Sequence, residues 1–283
     1  MLYVIVPVHN RAPVTARFID ALVRQNWDAY RLVLVDDGCT DDTVMIARGR
    51  MPTGRLTVLR GDGQLWWAGA LQLAWRHLHD VSPSEADAVL IINDDVGFDA
   101  EFLTAGMSVL REHPHACIQA VGVDRVSGIV DRGAVADLVA LTFRAAMPGE
   151  RANCLSTRGL LMSAATFLCS GGFHPRRLPH YLSDYEFTLR LARCGTPLLV
   201  DDRFRTEIEL NLTGLERPTA KTFRALWAQS FSNRAKFNPK HWSAFVLLAC
   251  PATATPRLLA RIWLGWLHAI VAPMRSRRGD LPT

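Results

Sequence analysis

Val89-Leu90-Ile91-Ile92-Asn93-Asp94-Asp95-Val96 is an apolar run that ends abruptly in acid. A continuous aliphatic and β-branched run of this length reads as a strand buried on both faces of a parallel sheet. Such a strand would deliver Asn93, Asp94 and Asp95 together at its carboxyl end, where ligands bind in open α/β sheets. Carboxylates this close repel one another unless a cation lies between them, and hard oxygen ligands suit Mg²⁺ or Mn²⁺ bound to a phosphate. A solvated turn after a strand is the competing reading of this stretch alone, and the rest of the chain has to decide.

Working outward, Leu2 to Val6 is a second apolar run, stopped by Pro7, and residues 14–25 carry Phe18, Ala21 and Leu22 at helical spacing. Arg31 to Val35 reads as another buried strand, ending in Asp36-Asp37-Gly38-Cys39-Thr40-Asp41-Asp42-Thr43, where Thr40 or Asp41 can cap a helix over about 43–48. Leu56 to Leu59 is a further strand, and Gly61-Asp62-Gly63 separates it from a helix over 66–78. Alternating strands and helices imply right-handed βαβ units and a mainly parallel sheet. The polar ends at residues 7–11, 36–42 and 93–95 must then share one edge, and a nucleotide site there explains all three. Downstream, the pattern predicts a helix over 101–112, a strand over 117–121, and short antiparallel strands and loops over 123–158. A buried Leu160-Leu161-Met162, a Gly171-Gly172-Phe173 turn, and a helix capped by Ser183 and stopped near Gly195 follow.

The 283 residues suffice for one large α/β domain with an appendage, and a hydrophobic fraction of 49% with 21% charged residues belongs to a folded globular chain. The net charge of +5 is not spread evenly: of 32 Lys and Arg, 11 lie in residues 216–283, which hold only 2 of the 27 Asp and Glu. A basic tail beside an acidic body points to anionic lipid rather than to nucleic acid. Six widely spaced cysteines without a Cys-x-x-Cys pair read as buried free thiols in a reducing compartment. The chain starts at once with a strand and shows no signal-peptide pattern, so the expected location is the cytoplasm, on the cytoplasmic face of the inner membrane if the tail binds lipid.

Five ordered pieces now stand together: Val6 to Arg11, Val35 to Asp41, Gly61 to Ala70, Asn93 to Asp95, and Ser183-Asp184-Tyr185-Glu186 with Arg190. In this order they resemble the family 2 inverting glycosyltransferases of GT-A fold, over roughly residues 1–210. The resemblance implies a Rossmann-like, mostly parallel α/β sheet flanked by helices, with a C-terminal helical extension. The catalytic domain would span 1–215, its nucleotide-sugar half about 1–122 and its acceptor half about 123–215, with 216–283 as the basic extension. It further implies a nucleotide-diphosphate sugar donor of UDP, dTDP or GDP type, Mg²⁺ or Mn²⁺, and a surface-glycan or lipid-linked acceptor. Pro7, His9, Asn10, Arg11 and Asp36 would line the nucleotide pocket, and Asp37 would accept a hydrogen bond from the base. Asp95 would be the metal ligand, with Asn93 in support where the motif usually has its first Asp. Asp184 matches the catalytic base, supported by Arg190. The family commonly has Glu before the base where this chain has Ser183, which leaves Glu186 as fallback.

Inversion needs an acceptor hydroxyl to attack from the face opposite the leaving diphosphate, so one carboxylate base and one charge-stabilising cation suffice. An N-terminal helix carboxylate satisfying the macrodipole is the plainer account of Asp184. Asp62, Trp66, Trp67 and Asp94 are candidates for the donor sugar; adjacent indoles either both pack in the core or allow one to pack inward while the other presents a flat face to a sugar, and a similar Gly-Asp-Gly-x-Leu-Trp-Trp stretch is expected in relatives that transfer rhamnose or similar deoxy sugars. Gly61-x-Gly63 lacks the remainder of a dinucleotide fingerprint. In the tail, Arg257, Arg261, Gly265, His268 and Ala272 form a thin stripe on an otherwise apolar helix, expected to be largely withdrawn from water. An interfacial helix over 255–278, with Trp263 and Trp266 at the headgroup level and Arg275, Arg277 and Arg278 on anionic lipid, is preferred to a membrane span. Packing on the catalytic domain or a homodimer is the alternative, and residues 242–248 read as a companion helix. Two rival functions remain: a nucleotidyltransferase, which would carry a Gly-rich loop after the first strand, and an inactive nucleotide- or glycan-binding module.

Overall fold

The computed structural model describes residues 1–209 and 223–276. Strands β1 (Leu2–Val8), β2 (Tyr30–Asp36), β3 (Leu56–Arg60) and β4 (Ala88–Ile91) pair in parallel in the order β3-β2-β1-β4. The sheet continues through β9 (Leu160–Ser163), β5 (Cys117–Asp124) and β10 (Leu198–Ile208), with β6 (Val130–Asp131) on β5. Strand β9 runs antiparallel to both neighbours, β4 and β5, while β10 and β5 are parallel.

The apolar runs are continuous because each strand is covered on both faces. Leu2, Val4, Val6, Leu32, Leu34, Leu90 and Ile92 point to one layer, built on α1 (Ala12–Val23), α2 (Thr43–Arg50) and α4 (Phe102–Glu112). Tyr3, Ile5, Val33, Val35, Val89 and Ile91 point to the other, built on α3 (Trp66–Val81), α5 (Ala164–Cys169) and α6 (Ser183–Arg193). The register sets Val8 opposite Asp36 and Ile5 opposite Ile91, so the β1, β2 and β4 ends share an edge. Leu160 pairs with Ile91, so the residues just before β9 reach the same edge from the opposite direction.

Two local expectations change. Helix α6 is entered through Leu182, whose φ is +67°, and not capped by Ser183, whose hydroxyl donates to the His180 carbonyl at 2.8 Å. Gly195, at φ +89°, does end the helix in the left-handed conformation that favours glycine. The six cysteines are free thiols, but only Cys117 and Cys154 are buried, and Cys169 and Cys194 are exposed.

A third apolar cluster joins α6, the β7 (Ala134–Asp137) and β8 (Thr142–Ala145) hairpin, α8 (Pro239–Ala249) and α9 (Thr255–Ser276), through Leu189, Phe245, Val246 and Leu258. The C-terminal helices therefore pack on the α/β body. Two residues of the polar stripe of α9 turn to protein, Arg257 and Arg261 donating to the Val139 and Ala140 carbonyls of the hairpin turn at 2.9 and 2.6 Å, while Gly265 and His268 are exposed. Trp263, Leu264 and Leu267 are left 39%, 67% and 51% exposed, so the helix is not withdrawn from water as its composition predicts. Helix α7 (Phe223–Ser230) stacks Trp227 edge-on to Trp266, with ring centroids 5.1 Å apart. No helix among the described residues is long and apolar enough to cross a membrane. The 215/216 boundary and Arg277 and Arg278 lie outside the described residues.

Candidate active site

The loops after β1, β2 and β3 are tied into one floor by side chains that accept backbone hydrogen bonds. Asn10, with φ +51°, accepts from Thr40 N–H through Oδ1 at 2.7 Å, and His9 Nδ1 lies 2.6 Å from the Asp37 carbonyl. Asp36 Oδ1 accepts from Cys39 N–H at 2.7 Å. Asp37 accepts from Gly63 and Leu65 N–H through Oδ1, at 2.9 and 3.1 Å, and from Trp66 N–H through Oδ2 at 3.0 Å. A carboxylate offers about four lone-pair sites, so this one is mostly consumed in shaping the Gly61–Trp66 turn. Gly38 is required where the loops cross, since at φ +70° a Cβ there would meet Gly63 Cα at 2.8 Å. Pro7 lies one residue before the end of β1, at the rim of this floor.

The turn sorts the paired indoles. Trp67 packs partly buried in the second core layer and donates to Thr157 Oγ1 at 3.1 Å. Trp66, at φ +57°, presents its ring to His180 with centroids 5.9 Å apart. Asp62 is exposed, its Oδ1 accepting from Gln64 N–H. Asn10, Trp66 and Leu182 are three of the five non-glycine residues at positive φ among the described residues, and strained backbone of this kind gathers at functional sites.

Beyond β4 the acidic cluster divides. Asp94 is buried, accepting from Thr15 Oγ1 at 2.8 Å and pairing with Arg11 Nη1 at 3.0 Å. Burial pushes its pKa up, against the pull of Arg11. It is thus held towards α1, not offered to a sugar. Asp95 is partly exposed and takes the other arm of Arg11, Nη2 to Oδ2, at 3.0 Å. Asn93 Oδ1 is buried without a hydrogen-bond partner among the described residues. An orphaned amide oxygen two residues from a reachable carboxylate fits a hard divalent cation that draws its remaining ligands from a diphosphate. No cluster of three His, Cys, Asp or Glu could hold a metal among the described residues. A cavity of about 300 Å³ opens beside the pair, between α1 and the β10 end, with Arg17, Arg125 and Glu207 in its wall.

Asp184 lies half-buried in the first turn of α6, and desolvation raises its pKa from 3.8 to about 6. Its own-turn contact, Tyr185 N–H to Oδ1 at 2.9 Å, and the charge of Arg158 oppose that rise, while Asp131 adds to it. Arg158 precedes β9, so Asp184 belongs to the same sheet edge as Asn93. Glu186 points elsewhere. Buried, it accepts from Arg190 Nε at 2.9 Å and Nη2 at 3.2 Å, and Arg190 also donates to the carbonyls of Ser170 and, at 2.7 Å, Gly172. Glu186 is therefore unavailable as a fallback base, and Arg190 is a clamp on the turn after α5 rather than a group facing substrate. On an α-helix, residues two apart face different sides.

Asp131, Thr157 and Arg158 escaped the sequence reading because they lie in the irregular 123–158 stretch. His180 and His241 form a further half-buried pair whose buried Nδ1 atoms have no partner among the described residues. Burial lowers both pKa values, that of His241 to about 4, so both rings are neutral near pH 7. Only the docking of α8 reveals them as neighbours.

The sequence matches the model of glycosyl transferase family 2 over residues 3–155, just over half of the chain. No curated protein sequence matches it. In fold it is similar to the mannosyltransferase PcManGT of Pyrobaculum calidifontis, in complex with GDP-Man and Mn²⁺, with TM-score 0.60 and 17% identity over 100% of this chain and 76% of that one. It is likewise similar to residues 1–349 of S. aureus TarS with UDP-GlcNAc, with TM-score 0.62 and 15% identity over 98% and 91%. GalNAc-T7 with UDP, GalNAc and Mn²⁺ gives 0.61 and 11% over 100% and 58%. With the parallel sheet, the shared edge and this match together, the chain belongs to glycosyl transferase family 2 and has the GT-A fold.

Proposed function

We propose that the protein transfers a sugar, with inversion, from a nucleotide-diphosphate sugar to an acceptor hydroxyl, with Asp184 as the base. The observation that carries this is the pairing of a raised carboxylate, Asp184 at about 6, with a separate carboxylate, Asp95, at one sheet edge. A base poised near neutral pH can take the hydroxyl proton as attack proceeds. The loops carrying His9, Asn10, Asp36 and Asp37 form the nucleotide floor, and Trp66 supplies a flat face for the donor sugar.

Asp95 and Asn93 would hold a divalent cation, which when bound stabilises the charge that builds on the leaving diphosphate. PcManGT is in complex with GDP-Man and Mn²⁺ and TarS with UDP-GlcNAc, and this chain is proposed to use the same class of donor. The exposed Trp263, Leu264 and Leu267 of α9, together with the basic composition of residues 216–283, support a peripheral seat on anionic membrane and a lipid-linked or surface-glycan acceptor. Asn93 is the feature that favours an inactive binding module instead. Incubating the protein with UDP-, dTDP- and GDP-sugars and Mn²⁺ decides: donor turnover abolished by chelator and by Asp184→Asn supports the enzyme. Donor binding without turnover leaves only the binding module.

A further inference from the structure

Arg11 joins both carboxylates of the acidic cluster, a role distinct from contact with a nucleotide base. Its backbone N–H donates to Thr43 Oγ1 at 3.2 Å, which fixes it between the β1 loop and α2. From there one guanidinium arm reaches Asp94 and the other Asp95, each at 3.0 Å. Asp94 has a second partner in Thr15 and no exposure to speak of. For Asp95, Arg11 is the one side chain that donates among the described residues. Adjacent carboxylates require positive charge between them, and here the protein supplies it from its own chain.

A divalent cation arriving alone at Asp95 meets a guanidinium already on Oδ2, so it must displace Nη2 or bind beside it through Oδ1, in either case against like-charge repulsion. A diphosphate changes this balance, because its oxygens offer the displaced arm a bidentate partner of equal or greater strength. The adjoining cavity, with Arg11 itself in its wall, leaves room for the arm to swing. We propose that Arg11 is an exchangeable counter-ion of Asp95, a positioning residue that makes the divalent cation and the nucleotide diphosphate bind cooperatively. The inference rests on Asp95 being the metal ligand.

The test is Mn²⁺ binding to the full chain, read from the free-ion EPR signal with and without UDP, dTDP or GDP, and with no sugar transfer involved. Coupling energies between sites typically correspond to about 5- to 150-fold. In Arg11→Gln, Mn²⁺ alone is expected to bind about fivefold tighter or more, and the tightening by nucleotide to shrink by the same factor. Because this variant strands Asp94 as a buried charge, Arg11→Gln/Asp94→Asn is compared with Asp94→Asn, and the same gain is expected. Unchanged or weaker Mn²⁺ binding in both comparisons, with Asp95→Asn abolishing binding, overturns the counter-ion role alone. Mn²⁺ binding that survives Asp95→Asn overturns the metal assignment and this proposal with it.

Discussion

Replacing Asp184 by asparagine should separate what this carboxylate costs the fold from what it does in catalysis. Its pKa rises from 3.8 to about 6 on folding, chiefly by desolvation. A shift of about two units is worth roughly 3 kcal/mol at 1.36 kcal/mol per unit. The sign follows from proton binding. Below the unfolded pKa both states hold the proton and the aspartic acid is neutral, so nothing is lost. Between pH 4 and 6 the unfolded chain releases its proton first, and the native state is progressively penalised. Above pH 6 the full penalty stands. Asp184→Asn, which never ionises, should therefore be close to wild type in stability near pH 4 and more stable by up to about 3 kcal/mol at pH 8. Urea unfolding of both proteins across that range measures the difference directly. The same variant should lose about 10²- to 10⁴-fold in transfer rate, whereas wild-type kcat/KM rises with pH to a plateau beginning just above 6. A stability difference that is flat with pH refutes the desolvation argument. Near-wild-type transfer by a folded Asp184→Asn protein refutes the base.

Arg190→Ala leaves the buried Glu186 carboxylate without its partner and frees the Ser170 and Gly172 carbonyls, so it should cost about 3 kcal/mol or more in urea unfolding. Leu264→Gln with Leu267→Gln removes exposed apolar surface without adding charge. Flotation with phosphatidylglycerol-rich vesicles should fall about tenfold or more, while unfolding stays within about 0.5 kcal/mol per site; flotation unaffected by the pair counts against the membrane seat. Gly38→Ala forces a Cβ into Gly63 and a strained φ, which should lower nucleotide-diphosphate affinity in calorimetry by displacing the loop crossing.

Much of this protein is written locally. The runs Leu2–Val6, Arg31–Val35 and Val89–Ile92 declare buried parallel strands because a strand covered on both faces must be apolar at every position. Once the strands are parallel, their polar carboxyl ends have to share an edge, so the positions of Asn10, Asp37 and Asp95 follow from sequence order alone. That one of two adjacent indoles could pack inward was legible as well, but not that Trp67 would be the one, which Thr157 decides.

What the tertiary structure decided are the pairings, since a side chain's partner is set by chain segments that meet only after folding. Glu186 and Asp184 are two residues apart and chemically alike, yet one is sealed against Arg190 and the other is desolvated beside Arg158. The α9 arginines look like a solvent stripe until the β7–β8 turn brings carbonyls to them. Arg11 reads as a nucleotide contact until β4 places Asp94 and Asp95 within 3.0 Å of its two arms. Periodicity reports which face of an element is buried, because burial is averaged over many neighbours; it does not report which single charge answers another across the sheet edge.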